Sequence, residues 1–389
     1  MDTVRKNIAL LGATGSIGAQ VCEVARAFPD NFKIRVMTGN RNINKLAQLS
    51  DEFDPDLIWV PDEAGADLLL KAKRRRSREI ITGQGGLSVC AGYGGADFTV
   101  NALVGRAGLV PTLSAIESGK SVALANKETL VSAGSLVTEA AKKNGVEIIP
   151  VDSEHSAISQ CLAGSEAKHI DKLILTASGG PFRKWDAEKI RSAKAADALK
   201  HPNWRMGDKI TVDCATMMNK GFEFIEAMWL FEASPGQIEI LVHPQSVVHS
   251  MVRFTDGSVI AQLGAPDMRN PILRALSYPN RLKNDFKKLD LTECGALTFE
   301  KCDDERFPCL GIAIGAAREG GTLPAVLNAS NELAVGAFLR GELGFYGISD
   351  IVGRAVSEYK NKPLADIAGV AEAEAWAEEH FAACMKEAV

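Results

Sequence analysis

The stretch NIALLGATGSIGAQV, residues 7–21, constrains the fold of this chain more than any other part. An apolar run of strand length ends in a turn with glycines at 12, 15 and 18, and the turn opens directly into a helical pattern. Glycine at those places permits a tight turn and lets the backbone come close enough for a diphosphate to rest on the helix N-terminus. A Gly-rich turn alone serves many strand-to-helix connections. This one comes first in the chain and in the strand, turn and helix context that dinucleotide binding requires.

Further short apolar runs follow, KIRVMTG, LIWV, FTVNAL, SVALA and VEIIPV, with helical patterns such as ETLVSAGSLVTEAAKKNG between them. Strand and helix in alternation predict an α/β, Rossmann-type, doubly wound parallel sheet over residues 1–150. After residue 150 the rhythm changes. KLILTASGG and KITVDC read as strands, and the segment IEILVHPQSVVHSMVRFTDGSVIAQLG holds two β-rich runs joined by an Asp-Gly turn, a hairpin signal. A central α+β catalytic domain is therefore expected over 151–285. From about residue 310 the patterns are helical, so 286–389 reads as a linker and a C-terminal helical domain.

The composition bounds the function. At 389 residues the chain is long enough for two or three domains, and 46% hydrophobic with 24% charged residues is ordinary for a globular enzyme. A net charge of −5 argues against nucleic acid or an anionic membrane as the main partner. The basic run KAKRRRSRE at 71–79 reads as the solvated end of a surface helix. The eight cysteines include no C-x-x-C pair, which suggests reduced thiols rather than a zinc site or a disulfide framework. The strand begins within a few residues of the N-terminus, and no apolar run approaches the ~20 residues of a membrane helix. A soluble, cytoplasmic protein is expected.

About 20 residues past the glycine turn, where an NAD enzyme carries an acid for the ribose hydroxyls, the sequence is MTGNRN. Asn40, Arg41 and Asn42 offer a cation and amide donors suited to a 2′-phosphate, so NADP(H) is expected.

The chemistry is concentrated further on. VDSEH places Asp152 and Glu154 on either side of Ser153 just after an apolar run. In an extended segment the two carboxylates share a face; equally, Asp152 or Ser153 could cap a helix, with Glu154 at the positive end of its dipole. TASGGPFR ends a strand in Ser178, Gly179 and Gly180, a turn able to hold an anion. HPNWRMG joins His201, Trp204 and Gly207 in a segment that reads as a lid. In DCATMMNKGFEFIEAMWLF, helical spacing puts Asn219, Lys220 and Glu223 on one stripe. Asp152, Glu154 and Glu223 are oxygen donors of the kind Mg²⁺ or Mn²⁺ takes. Beside a nicotinamide, they suit metal-assisted carbonyl chemistry and hydride transfer on a small phosphorylated substrate.

Taken in order, GATGSIG, ALANKE, VDSEH, SGGPFR, HPNW, DCATMMNKGFE, HPQSVVHSMV, GAPDMRNPI, ERFPCLGIA and LNASNE resemble the 1-deoxy-D-xylulose 5-phosphate reductoisomerase family over all but the last ~40 residues. The resemblance implies a homodimer with an N-terminal NADPH domain, a central catalytic and dimerisation domain, and a C-terminal helical domain. It implies NADPH and Mg²⁺ or Mn²⁺, with Co²⁺ compatible, and a sugar phosphate rearranged and then reduced to 2-C-methyl-D-erythritol 4-phosphate, a precursor of isoprenoids. By the same resemblance Asp152, Glu154 and Glu223 bind the ion, while Lys127 and Ser153 contact substrate. Ser178, His201, Asn219 and Lys220 hold substrate, chiefly its phosphate, and Trp204 covers it. Thr14, Gly15, Ser16, Ile17, Asn40, Arg41, Asn42, Asn126, Glu128 and Gly207 serve the cofactor.

Two departures stand out. The cofactor loop reads Asn-Arg-Asn where many members carry Gly-Lys-Asn, and Cys214 stands where the family usually has a serine on the phosphate. The rival readings are a simpler NADP-dependent sugar-phosphate or aldehyde dehydrogenase, which needs no tricarboxylate site, and a non-catalytic NADPH-sensing protein.

Overall fold

The computed structural model describes residues 5–72, 79–200, 204 and 206–387. The chain divides into two compact units, one built from residues 1–129, 137–156 and 267–286 and the other from 130–136, 157–266 and 287–389.

The first unit alternates strand and helix as expected: β1 (Lys6–Leu11), α1 (Ser16–Ala27), β2 (Phe32–Thr38), α2 (Ile43–Phe53), β3 (Leu57–Trp59), α3 (Glu63–Ala72), β4 (Glu79–Ile81), α4 (Gly86–Ala91), β5 (Phe98–Asn101), α5 (Leu109–Glu117), β6 (Ser121–Leu124), α6 (Lys127–Asn144) and β7 (Ile148–Pro150). The seven strands form one parallel sheet in the order β4-β3-β2-β1-β5-β6-β7. The order reverses at β1, so the glycine turn that follows β1 lies at the switch point where such sheets bind ligands. Strand β4 was not expected: Glu-Ile-Ile is too short to show a period, and it follows a basic run whose residues 73–78 lie outside the described residues. The core of this unit packs Ile8 and Leu10 of β1 and Val21 and Val24 of α1 with Ile272 and Leu276 of a later helix that returns to it.

Helix α6 is kinked at Ala133 (φ −144°, ψ 31°). Beside the kink a Cβ on Gly134 would stand 2.2 Å from the Trp229 ring, so the indole takes the space that a side chain would fill. Next comes α7 (Ser153–Cys161).

The second unit continues with β8 (Ile170–Ala177), α8 (Ala187–Arg191), α9 (Ala195–Ala198), α10 (Asp208–Thr216), α11 (Met218–Leu230), β9 (Ile238–Val242), β10 (Val248–Phe254) and β11 (Val259–Leu263). After α12 (Arg269–Ser277), the helix that belongs to the first unit, come β12 (Glu300–Lys301) and helices α13 (Pro308–Glu319), α14 (Leu323–Arg340), α15 (Phe345–Glu358) and α16 (Ile367–Glu387). Its sheet runs β11-β10-β8-β9-β12, with only the β8–β9 pair parallel. The hairpin at Asp256-Gly257 joins β10 to β11 as expected, with Gly257 at φ 86°. The segment holds three strands, however, rather than two.

One expected strand is a helix. KITVDC lies in α10, although Ile210, Thr211 and Val212 favour strands. Extended Gly207 starts the helix, Asp208 supplies an acid to its first turn, the Thr211 hydroxyl donates to the Gly207 carbonyl at 2.8 Å, and Lys209 pairs with Asp213 one turn on at 2.9 Å. These local features, with burial of Thr211, Val212 and Ala215 and a hydrogen bond from Asn331 of α14 to Asp213, outweigh the β-propensity.

Candidate active site

In the first unit, glycines 12 and 18 are required by the backbone itself. Gly12 has φ 82°, and a Cβ on it would meet the Ala102 carbonyl oxygen at 2.6 Å. A Cβ on Gly18 would lie 2.1 Å from the Gly12 carbonyl oxygen. Gly15 stands at the N-cap of α1 with its own amide on the Gly12 carbonyl at 3.1 Å, and no side chain caps the amides of Ser16 and Ile17 in the first helical turn, the place where a helix binds an anion. Thr14 precedes them, its carbonyl accepting from Lys45 Nζ at 3.1 Å. This cradle fits the diphosphate of a dinucleotide.

Asn40, Arg41 and Asn42 are exposed at the end of β2. Asn42 is also a structural cap, its Oδ1 accepting from the Lys45 amide at 3.0 Å. Asn126 is more committed still. It caps α6 through Thr129, and its amide nitrogen donates to the carbonyls of Leu103 and Gly105 and to Glu128 Oε2 at 3.1, 2.9 and 3.1 Å. These bonds fix the β6–α6 connection, so the Asn126 side chain is committed to holding it.

The acidic group of the first unit sits where α7 starts. Asp152 Oδ1 accepts from the Glu154 amide at 3.2 Å, and Ser153 Oγ donates to Glu154 Oε2 at 2.6 Å. Ser153 and Glu154 thus lie in the first helical turn rather than in an extended segment, and the capping role and the carboxylate cluster coexist. Asp152 Oδ2 is 3.1 Å from Lys127 Nζ, and that ammonium is buried at the first residue of α6. His155, fully buried, follows directly.

In the second unit α11 carries the expected stripe. Asn219 and Lys220 both donate to Glu223, one to each carboxylate oxygen, and all three side chains are buried. Burying a carboxylate without such donors would be costly. Glu226 continues the same stripe three residues on and is equally buried. The reading of the sequence passed over Glu226 and His155, although the first was visible by spacing.

The turn after β8 has two consecutive left-handed glycines, Gly179 at φ 80° and Gly180 at φ 67°, and the Gly180 amide donates to Ser178 Oγ at 3.2 Å. Cys214, on α10, is partly exposed, whereas Cys309 is fully buried and its thiol is pushed up to about 12 by that burial. His201 lies outside the described residues. Trp204 is half-buried with its ring 6.2 Å from that of His249. Burial holds His249 neutral, lowering its pKa to about 4 against hydrogen bonds to the backbone of Ala265 and Gly264 that favour the charged form. Sequence reasoning missed His249, whose period-2 place in β10 looks like any core position. Gly207 is exposed at the N-cap of α10.

The donors fit their expected groups by type. Asp152 and Glu154 in the first unit and Glu223 in the second offer hard oxygens, with Lys127 beside Asp152 and with Asn219 and Lys220 on Glu223 to compensate the negative charge.

Comparisons with known proteins agree with this chemistry. Family models described as 1-deoxy-D-xylulose 5-phosphate reductoisomerase match residues 8–134, and two described as its C-terminal domain match 148–231 and 263–380. Curated proteins of that name from Prosthecochloris aestuarii and Bacillus thuringiensis are 50% and 48% identical, over 97% and 96% of this chain and 99% and 97% of theirs. A solved structure of the Zymomonas mobilis enzyme with NADPH superimposes with a TM-score of 0.91 at 41% identity, covering 98% of this chain and 99% of that one. A reductoisomerase bound to NADPH, fosmidomycin and magnesium gives 0.92 at 40% identity, with 98% of each chain covered.

Proposed function

The chain belongs to the 1-deoxy-D-xylulose 5-phosphate reductoisomerase family, and from that premise we propose how its own residues carry the family's reaction. It is an oxidoreductase that depends on NADPH and a divalent metal and converts 1-deoxy-D-xylulose 5-phosphate to 2-C-methyl-D-erythritol 4-phosphate. The product would feed isoprenoid precursors. The observation that supports the assignment of roles within the chain is the buried stripe in which Asn219 and Lys220 both donate to Glu223.

Asp152, Glu154 and Glu223 would hold the ion, Mg²⁺ or Mn²⁺ by donor type with Co²⁺ compatible. When bound, the ion supplies Lewis acidity to the substrate's carbonyl and hydroxyl oxygens, and NADPH supplies the hydride. The remaining work belongs to the side chains. Lys127 holds Asp152 in place and presents a buried cation to substrate oxygens, and Ser153 orients Glu154 while its own oxygen stays open to a substrate hydroxyl. Lys220 has three donor positions on its ammonium and shares them between Glu223 and the substrate's phosphate, which Ser178, His201, Cys214 and Asn219 also hold. Trp204 covers the site and excludes water. On the cofactor side, the α1 N-terminus with Thr14, Gly15, Ser16 and Ile17 holds the diphosphate, and Asn40, Arg41 and Asn42 meet the 2′-phosphate. Asn126, Glu128 and Gly207 line the nicotinamide end. The working enzyme is a cytoplasmic homodimer.

The test is loss of nicotinamide absorbance with 1-deoxy-D-xylulose 5-phosphate, with Mg²⁺ and after thorough chelation. Turnover should require the metal, and Asp152→Asn should nearly abolish it while NADPH still binds. Turnover that survives chelation would favour a simple dehydrogenase. Binding of NADPH without oxidation by any sugar phosphate would favour a sensing protein.

A further inference from the structure

The proposed phosphate contacts Cys214, Asn219 and Lys220 are carried by α10 and α11, two helices joined at Met217 in the left-handed conformation (φ 64°). The direction in which those side chains point is set by the rotation of α10 about its own axis and by the angle of that elbow. The local contacts of the elbow are short-range: Lys220 and Gly221 amides donate to the Met217 carbonyl at 3.1 and 3.2 Å, and the Met218 amide donates to Thr216 Oγ1 at 3.3 Å. They fix the bend, while the rotation of α10 depends on what its buried face packs against, Thr211, Val212, Asp213 and Ala215 among it.

A buried polar group gives that face its direction-specific contacts. Asp213, 1% exposed and adjacent to Cys214, takes Lys209 Nζ on Oδ2 at 2.9 Å and Asn331 Nδ2 on Oδ1 at 2.8 Å. Asn331 is fully buried and stands in the middle of α14, 118 residues away. Lys209 also lies 4.9 Å over the ring of Phe222, the neighbour of Glu223 on α11. The helix itself gains little from this pair, because the cation precedes the acid, the less favourable order for one turn of helix. Buried ion pairs are often no more stabilising than apolar residues of the same volume. What distinguishes this one is its reach: a single carboxylate ties α10 to α14, and its cation ties α10 to α11. A backbone contact also reaches α10, since a Cβ on Gly180 would stand 2.6 Å from the Cys214 carbonyl oxygen. The turn that carries Ser178 therefore rests on the same helix.

We propose that Lys209, Asp213 and Asn331 are positioning residues for the substrate's phosphate end: they set the rotation of α10 and the aim of Cys214, Asn219 and Lys220 without touching substrate. The proposal rests on the reading of those three as phosphate contacts. It predicts that position and stability separate when the polar triad is replaced by apolar residues of similar volume.

The experiment compares the full-length chain with the triple variant Lys209→Met, Asp213→Leu, Asn331→Leu, and with Lys220→Ala as a control on the underlying reading. The triple variant should keep its thermal midpoint within a few degrees, while KM for the sugar phosphate rises roughly tenfold or more, the scale expected for misplacement of binding groups by a fraction of an ångström to 1 Å. KM within twofold of the original would overturn the proposal. Should the triple variant not fold, Asn331→Leu alone gives the same reading, and Asn331→Gln should restore part of the loss if a donor to Asp213 is what matters; equal KM in both overturns it. If Lys220→Ala leaves KM unchanged, the phosphate reading itself fails and the proposal with it; if Lys220→Ala raises KM and the triad variants do not, only the positioning role fails.

Discussion

At the scale of single residues, His249 shows how burial writes a pH dependence into the fold. Its ring is 8% exposed, and desolvation lowers its pKa from 6.5 to about 4. The unfolded chain takes up a proton near pH 6.5, whereas the native ring resists until about pH 4, so between those values the unfolded state binds more protons and stability rises with pH. The contribution is neutral above pH 6.5 and fully unfavourable, by about 3 kcal/mol, below pH 4. Urea unfolding between pH 4.5 and 7 should therefore show a shallower pH slope for His249→Gln than for the unaltered chain, and identical slopes would mean that other groups govern acid stability. Cys214 is the contrasting case. Burial pushes the Cys22 and Cys90 thiols up to about 12, as it does that of Cys309, while Cys214 is only partly buried and so is not sealed in the core as they are.

At the scale of elements, what could be read in advance was whatever is decided within a few residues of sequence. The glycine turn before α1 is such a case, because Gly12 and Gly18 are demanded by backbone atoms close in the chain or one strand away. The Asn219, Lys220 and Glu223 stripe is another, since helical spacing alone aligns them and the structure bonds them to one another. Helix α10 shows the limit. Its β-branched residues argued for a strand, and the contacts that decide otherwise include Asn331 in α14, which no local window contains. Asp152 and Glu154 were legible as a pair, but a helix start and a carboxylate cluster looked like competing accounts when the same residues serve both. His249 was illegible because its chemistry comes from burial, a property of the packed sheet. The glycine turn yields the prediction at this scale. Gly18→Ala places a methyl 2.1 Å from the Gly12 oxygen, so α1 must move off the turn. A loss of stability of about 1 to 3 kcal/mol is expected, as for other overpacked sites, with NADPH binding weakened at least tenfold and Mg²⁺ binding unaffected. Isothermal titration with each ligand checks both, and unchanged NADPH affinity would mean that the close approach of α1 to the turn is not needed for the diphosphate.

At the scale of the whole molecule, the open side of β11 asks for a partner. Among the described residues this strand pairs only with β10 and so ends its sheet. Neighbouring residues on a strand point to opposite faces, yet Val259 and Ile260 are both about half exposed. An edge strand with apolar side chains on both faces is the kind that proteins normally shorten, charge or cover. No charged side chain lies within Val259–Leu263 to discourage pairing. A second copy of the chain is the occupant that the geometry accommodates with least change, because two identical antiparallel edges meet across a two-fold axis with each strand donating and accepting the same set of bonds. The homodimer proposed for the working enzyme would then use β11 as part of its interface. Ile260→Lys puts one ammonium on each copy at that seam, where burial and mutual repulsion both oppose association. Sedimentation at micromolar concentration should show the unaltered chain as a dimer and Ile260→Lys as largely monomer, while NADPH binding, whose proposed diphosphate and 2′-phosphate contacts all lie in the first unit, stays within twofold. A dimer that persists in the variant would place the interface elsewhere, and an unaltered chain that sediments as a monomer would remove the homodimer from the account altogether.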